Sequence, residues 1–291
     1  MTPDEVRTSA HAKVNVFLRI LALERSGFHQ IETVFALLDL ADDLIVRRTD
    51  RGVALDVNGP DLGPADDNLA VRAARAVLAA TGQKFGVAIE LKKRIPVRAG
   101  LGGGSSDAAA TLHAVNALAS GAVPRSELMQ FGARLGADVP FFVSGAPLAL
   151  AWGRGERLFR LDPPAAAPVL VAVPAFGIPT SDAYHWWDEH QADAAGRGAV
   201  ALDASAVTSW GSLGRLGGND FESVVFARHP ALKTLFTRVA TTHPTWVRLC
   251  GSGSAIAAVY ADAALRDAAA HDLGERHQTL VRTTTMTSPA C

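Results

Sequence analysis

Cysteine is scarce in this chain: Cys250 and Cys291 are the only two among 291 residues. That excludes a disulfide framework and fits a reducing cytoplasm. An excess of charge of one sign is also lacking. Lys and Arg number 28 and Asp and Glu 29, a net charge of −1, so no global field favours nucleic acid or an anionic membrane. The N-terminus, MTPDEVRTSA, lacks the apolar stretch of a signal peptide. No long hydrophobic run is available for a membrane helix. The longest uncharged segment, Pro163 to Ser181, is broken by Pro163, Pro164, Pro168, Pro174 and Pro179. What is present is a chain 48% hydrophobic, enough to bury a sizeable core in one large domain or two modest ones. The expectation is a soluble cytoplasmic protein with neither nucleic acid nor membrane as partner.

Local patterning supports a mixed fold. Val14, Val16, Leu18 and Ile20 alternate as in a strand, which assigns Lys13, Asn15, Phe17 and Arg19 to the opposite face. Leu44–Arg48 and Val53–Val57 read as further strands. Asn68 can cap a helix from Leu69 to about Thr81, closed by Gly82. Phe85, Val87, Ile89 and Leu91 alternate with polar or small residues, the pattern of a half-buried strand. Ala108, Leu112 and Val115 mark one face of a helix ending near Ser120-Gly121. Leu128, Phe131 and Leu135 mark another, after Pro124 and before Gly136. The Pro- and Ala-rich segment Pro163–Pro168 carries no period and predicts a boundary between domains 1–162 and 163–291. Gln191–Gly218, rich in Ala, Gly and Ser, predicts a long surface connection.

Within this pattern lies Pro96–Ala110, PVRAGLGGGSSDAAA. Gly100, Gly102, Gly103 and Gly104 fall within five positions and feed an Ala-rich helix. Glycine allows left-handed backbone and close approach to a ligand. A helix begins with unpaired N–H groups and a positive dipole end, so this arrangement is a phosphate cradle. The N–H groups from Gly102 to Ser106 can hold phosphates. Ser105 or Ser106 can cap the helix, and either hydroxyl can reach a magnesium ion, which takes hard oxygen ligands. A Walker loop fits poorly, because Ser105 and not lysine follows Gly104. A dinucleotide fingerprint fits poorly, because counting from Gly100 and Gly102 its third glycine would stand at Ser105. A flexible glycine linker does not fit between such closely flanking periodic segments. The preceding run Lys92-Lys93-Arg94 is either a solvated loop or a cationic approach to the phosphates.

The segment resembles the phosphate-binding motif of the GHMP kinases, the superfamily of galactokinase, homoserine kinase and mevalonate kinase. Other segments resemble one branch of that superfamily, in order from about residue 10 to 260. They are Ala12-Lys13-Val14-Asn15-Val16-Phe17-Leu18, Gly27-Phe28-His29 with Thr33, Gly136-Ala137-Asp138-Val139-Pro140-Phe141-Phe142, Asn219-Asp220-Phe221-Glu222 and Gly251-Ser252-Gly253. The resemblance implies a two-domain α+β kinase, with a ribosomal-protein-like β-α N-terminal domain and a ferredoxin-like C-terminal domain around the active site. It implies ATP and Mg2+, with ATP lying on the loop from Pro96, Val97, Arg98 and Ala99, through Gly100, Leu101, Gly102, Gly103 and Gly104, to Ser105 and Ser106. Asn68 would lie near the adenine and Ser106 would touch the metal. The acceptor would be the tertiary 2-hydroxyl of a cytidine-diphosphate sugar alcohol, used in isoprenoid precursor synthesis outside the mevalonate route, and the protein a monomer or homodimer. Phe28 and His29 would form the cytosine end, Tyr184 a second stacking ring, and Asn15 a contact to the acceptor. Five positions depart from the branch's pattern: His11 replaces proline, Phe28 replaces tyrosine, Arg98-Ala99 replaces a small pair and Cys250 replaces serine.

Phosphoryl transfer asks a protein for alignment and charge stabilisation. Asp138 is the candidate general base, worth roughly 10²–10⁴-fold; its plainer role is to stabilise an Asp-x-Pro turn. Lys13 would keep that carboxylate ionised and stabilise developing charge, whereas most lysines on strands are merely solvated. Three rivals stand beside this reading: a sister kinase acting on mevalonate, homoserine or a sugar, a non-catalytic nucleotide-binding regulator, and a dinucleotide-dependent hydride-transfer enzyme.

Overall fold

The first half of the chain is organised around a long antiparallel hairpin, β1 (Glu5–Leu23) and β2 (His29–Thr49). The structure, a computed structural model, describes residues 3–190, 203–275 and 278–288. After the hairpin come β3 (Val53–Asn58), α1 (Leu69–Ala80), β4 (Gly86–Lys92), α2 (Gly103–Leu118), α3 (Arg125–Leu135), α4 (Val139–Ser144), β5 (Leu148–Gly153) and β6 (Arg157–Arg160). The second half runs β7 (Pro168–Pro174), α5 (Thr180–His190), α6 (Trp210–Gly214), α7 (Phe221–Arg228), α8 (Pro230–Ala240), β8 (Trp246–Leu249), β9 (Ile256–Val259), α9 (Ala263–Leu273) and β10 (Gln278–Thr284).

Two sheets result. The first has six strands in the order β3-β4-β2-β5-β6, with β1 on β2. The second is β10-β7-β9-β8, antiparallel throughout. Numbered within its own half, that order is 4-1-3-2 with helices in the connections, the ferredoxin-like arrangement. One sheet ends at Arg160 and the other begins at Pro168. Strand β2 joins their cores. Phe35 and Leu37 pack with Val77, Leu112 and Phe141 under the helices, while Val34, Ala36 and Leu38 pack with Val169, Val171 and Trp246. Burial on both faces explains why this part of β2 is almost continuously apolar rather than alternating.

Three expectations are corrected here. Register shifts in β1 fall between His11 and Lys13 and between Asn15 and Phe17. The second makes Val16 an extra residue, and such a bulge moves the following side chains to the other face. Phe17 therefore leaves Lys13 and Asn15 and packs with Ala12 and Val14, while Leu18 lines the cleft. Helix α2 is not one-faced: Ala108, Ala109, Ala110, Leu112, Ala114 and Val115 are all buried, because it runs through the middle of the first half among α1, α3, α4 and the sheet. Of the expected connection Gln191–Gly218, residues 191–202 lie outside the described residues. The remainder is folded: Trp210 and Leu213 of α6, with Leu216, are buried, and Trp210 Nε1 donates to Ala165 O at 2.8 Å.

Candidate active site

The glycine-rich loop is clamped from both halves. Lys13 N donates to Leu101 O at 2.9 Å, and Ala255 N donates to Ala99 O at 3.1 Å. Gly100, at φ +78°, lies so close to the turn after β8 that an added Cβ would stand 1.8 Å from Cys250 O. Gly102, at φ +73°, would carry a Cβ 2.8 Å from the Phe142 ring. Helix α2 starts earlier than expected: its N-cap is Gly102, not Ser105 or Ser106. The N–H groups of Gly103, Gly104 and Ser105 thus precede the first helical bond and are free for an anion. Ser106 N already donates to Gly102 O at 2.9 Å. Ser105 lines the cleft, whereas Ser106 is 3% exposed and does not. Cys250, also buried, has its thiol pushed up to about 12 by desolvation and is an inert packing residue.

Asp138 sits at the N-cap of α4, yet its side chain accepts no capping hydrogen bond. It faces Lys13 instead, with Nζ to Oδ2 at 3.4 Å. The Lys13 side chain is 4% exposed and that of Asp138 30%, so one partner is anchored and the other open to a ligand. Lys13 Nζ also donates to Asn15 Oδ1 at 2.8 Å. Asn15 Oδ1 accepts from Gly251 N at 3.1 Å, and its Nδ2 donates to Thr33 Oγ1 at 2.8 Å. Asn15 is buried and holds Lys13; one amide hydrogen is left for an acceptor.

The basic run before the loop divides. Arg94 is paired with exposed Asp43, but the Lys93 side chain is 4% exposed, donates to Asp42, and donates to Asp107 Oδ2 at 2.7 Å. Asp42 further accepts from Arg94 N and Ile95 N at 2.5 and 2.8 Å, fixing the entry to the loop. Asp107 lines the cleft with Oδ1 buried and unpartnered. Burial, with Asp42 nearby and only partly offset by Lys93, pushes its carboxyl up to about 7. Asn68 also lines the cleft and caps α1, Oδ1 accepting from Ala70 N at 2.9 Å.

At the other end, the β1–β2 turn presents Phe28, 56% exposed, in keeping with the exposed turn at Gly27. The Arg154 guanidinium lies 4.1 Å from its ring centre and is held by Glu24 at 2.6 and 3.2 Å. That guanidinium draws the Glu24 carboxyl down to about 2. His29 stacks on Tyr184 at 4.4 Å, and its Nε2 is 2.6 Å from Asp188 Oδ1. Burial, with the charge of Asp138, raises the Tyr184 phenol. Asp188, Arg154 and Asp107 are cleft residues that sequence reading did not assign, and Lys93 resolves the open reading of the basic run towards the cleft. Asp188 is 159 positions from His29 and no spacing signals it; the Asp107 position was visible inside the loop motif.

The Asn219-Asp220-Phe221-Glu222 segment staples β1 to the turn behind the cleft. Asn219 Nδ2 donates to Leu249 O and Gly251 O at 2.8 and 2.6 Å. Asp220 Oδ2 accepts from Ile20 N at 2.6 Å, and Glu222 Oε1 from Leu249 N at 2.9 Å.

Lys13, Asn15, Asn68, Phe28, His29, Tyr184, Asp138 and the loop therefore line one cleft of about 1050 Å³. The pattern of the GHMP kinases N terminal domain matches residues 68–146. A 4-diphosphocytidyl-2-C-methyl-D-erythritol kinase of Moorella thermoacetica is 35% identical over 97% of this chain and 100% of its own length. The chain belongs to that kinase family. A crystal structure of a 4-(cytidine 5'-diphospho)-2C-methyl-D-erythritol kinase superposes with a TM-score of 0.81 at 36% identity, covering 96% of this chain and 99% of that one. A homoserine kinase of Cytophaga hutchinsonii shares the fold, with a TM-score of 0.71 at 18% identity over 99% of this chain and 96% of that one. The fold is the two-domain α+β fold of GHMP kinases, and the chain is a small-molecule phosphotransferase that uses ATP.

Proposed function

We propose that this chain transfers the γ-phosphoryl group of ATP to the 2-hydroxyl of 4-diphosphocytidyl-2-C-methyl-D-erythritol, a step of isoprenoid precursor synthesis. The observation that carries the mechanism is the Asp138 carboxylate, free of any capping bond and set beside the buried Lys13. Asp138 takes the proton of the tertiary alcohol as its oxygen attacks the γ-phosphorus. The bond to the β,γ-bridging oxygen breaks and ADP leaves with that oxygen. Lys13 pairs with Asp138 and faces the charge that develops on the transferring group. The N–H groups of Gly103, Gly104 and Ser105 hold the phosphates, and Asn68 stands at the adenine end. Ser105 and the unpartnered Oδ1 of Asp107 are hard oxygen donors that fit a magnesium ion. Bound there, the ion would screen the β- and γ-phosphate oxygens. This reading moves the metal contact from Ser106, which the cleft does not reach, to Ser105.

Phe28, His29 and Tyr184 would receive the cytosine. An aromatic end in a cleft of about 1050 Å³ suits a nucleoside-bearing acceptor better than mevalonate or homoserine. Residues 1–162 would carry the donor site and catalytic pair, and residues 163–291 would close the acceptor side. Among the described residues no helix is long and apolar enough to cross a membrane. The balanced charge and two cysteines support a cytoplasmic setting.

Asp138→Ala should lower kcat at least about a hundredfold while leaving ATP affinity within about twofold. Near-normal turnover in that variant would end the assignment of Asp138 as the base.

A further inference from the structure

Arg98 is the departure from the family's loop pattern that the mechanism above does not use. It lines the cleft and is exposed. Its φ is +56°, a region that glycine enters freely and arginine does not. Backbone held in a sparsely populated region is a feature of ligand-contacting segments. The opposing segment is shaped around it: a Cβ on Gly177 would lie 2.8 Å from Arg98 Cβ and 3.0 Å from Arg98 O. The root of the side chain is thereby fixed against the second half of the molecule.

The other cleft cations are already matched. Lys13 faces Asp138, Lys93 faces Asp42 and Asp107, and Arg154 faces Glu24. Among the described residues Arg98 has no hydrogen-bond or ion-pair partner. Two anions must enter this cleft, and the course of the loop decides between them. Gly103 lies against Lys93 at the donor end, and Gly102 against Lys13 at the catalytic pair. Gly100 lies against Cys250, and Arg98 against Gly177. Along the loop Arg98 therefore lies beyond Gly102 and Lys13, on the far side from Gly103 and its Lys93 contact. It stands next to the wall where Thr180 and Ser252 share a hydroxyl contact at 3.0 Å, and α5 leads from Thr180 to Tyr184.

We propose that the Arg98 guanidinium binds the diphosphate of the acceptor, not the triphosphate of ATP. This rests on the cytidine-diphosphate acceptor proposed above. A guanidinium matches two phosphate oxygens at once, and it would lie between the aromatic end and the hydroxyl at Asp138, where a diphosphate linker must pass.

The test is calorimetric binding of cytidine and of CDP, with the ATP site saturated by a non-hydrolysable ATP analogue. The wild-type protein should bind CDP at least about tenfold more tightly than cytidine. Arg98→Gly, which suits the left-handed backbone and keeps the fold, should bring CDP down to the level of cytidine. Cytidine and the ATP analogue should bind as before, and Arg98→Lys should recover part of the difference. Wild-type CDP affinity in Arg98→Gly, with cytidine still bound, would overturn the role of Arg98 alone. So would a loss confined to the ATP analogue, which would place Arg98 on the donor phosphates. Failure of the wild-type protein to bind either cytidine compound would overturn the proposed acceptor, and the role of Arg98 with it.

Discussion

At the residue scale, the proposed chemistry rests on two side chains. A carboxylate at a helix N-cap normally satisfies backbone N–H groups. Asp138 does not; it approaches Lys13 at 3.4 Å instead, leaving the carboxylate open to a ligand. Lys13, Asn15 and Asp138 were legible in the sequence because each sits in a short local motif. Their plainer alternatives, a solvated lysine and a turn-stabilising aspartate, disagree with the burial of Lys13 and the uncapped Asp138. Asp188 and Arg154 were not legible. They reach His29 and Phe28 only through folding, from positions far away in the chain. Phe28, by contrast, is exposed beside Arg154, as a stacking ring in a ligand site should be. Stacking on one base is worth roughly 1–3 kcal/mol. Phe28→Ala should therefore raise KM for the acceptor at least about fivefold, with KM for ATP within about twofold. Steady-state kinetics with each substrate varied in turn reads this directly, and equal changes in both constants would remove Phe28 from the acceptor pocket.

At the element scale, the informative pieces are β1, the loop and α2. That β1 is a strand was legible, but the extra residue at Val16 was not, because a bulge leaves no mark on an apolar run. The early start of α2 was equally hidden: glycines are read as loop, yet here Gly103 and Gly104 are helical. In the stretch after residue 202, Ala, Gly and Ser masked α6, although Trp210, Leu213 and Leu216 recur every third residue and are buried together. The loop yields a paired prediction. Gly100→Ala places a Cβ 1.8 Å from Cys250 O at a left-handed φ, so it should lower Tm by several degrees and weaken ATP binding at least about tenfold. Gly104→Ala meets nothing within 4 Å and should leave Tm unchanged or raised, as alanine in a helix favours. Thermal melts and ATP titrations of both variants check this; equal tolerance of the two would contradict the described loop seat.

At the scale of the whole molecule, the sequence indicated two halves and a mixed fold, but not how they meet. Sheet order is set by long-range pairing, so neither the crossing of β4 between β3 and β2 nor the 4-1-3-2 order of the second sheet has a local signal. Nor does the shared core on the second face of β2, where Val34 and Leu38 meet Val169 and Trp246. That junction carries the candidate site: Leu101 O of the loop accepts from Lys13 N, Gly100 lies against Cys250, and His29 of one half stacks on Tyr184 of the other. The central claim is that this cleft joins ATP to a cytidine-bearing alcohol. The measurement that tests it most directly is ADP release by the purified protein with Mg-ATP, using 4-diphosphocytidyl-2-C-methyl-D-erythritol, mevalonate and homoserine in separate assays. Turnover with the cytidine compound alone is the result predicted here; turnover with mevalonate or homoserine and none with the cytidine compound would contradict it.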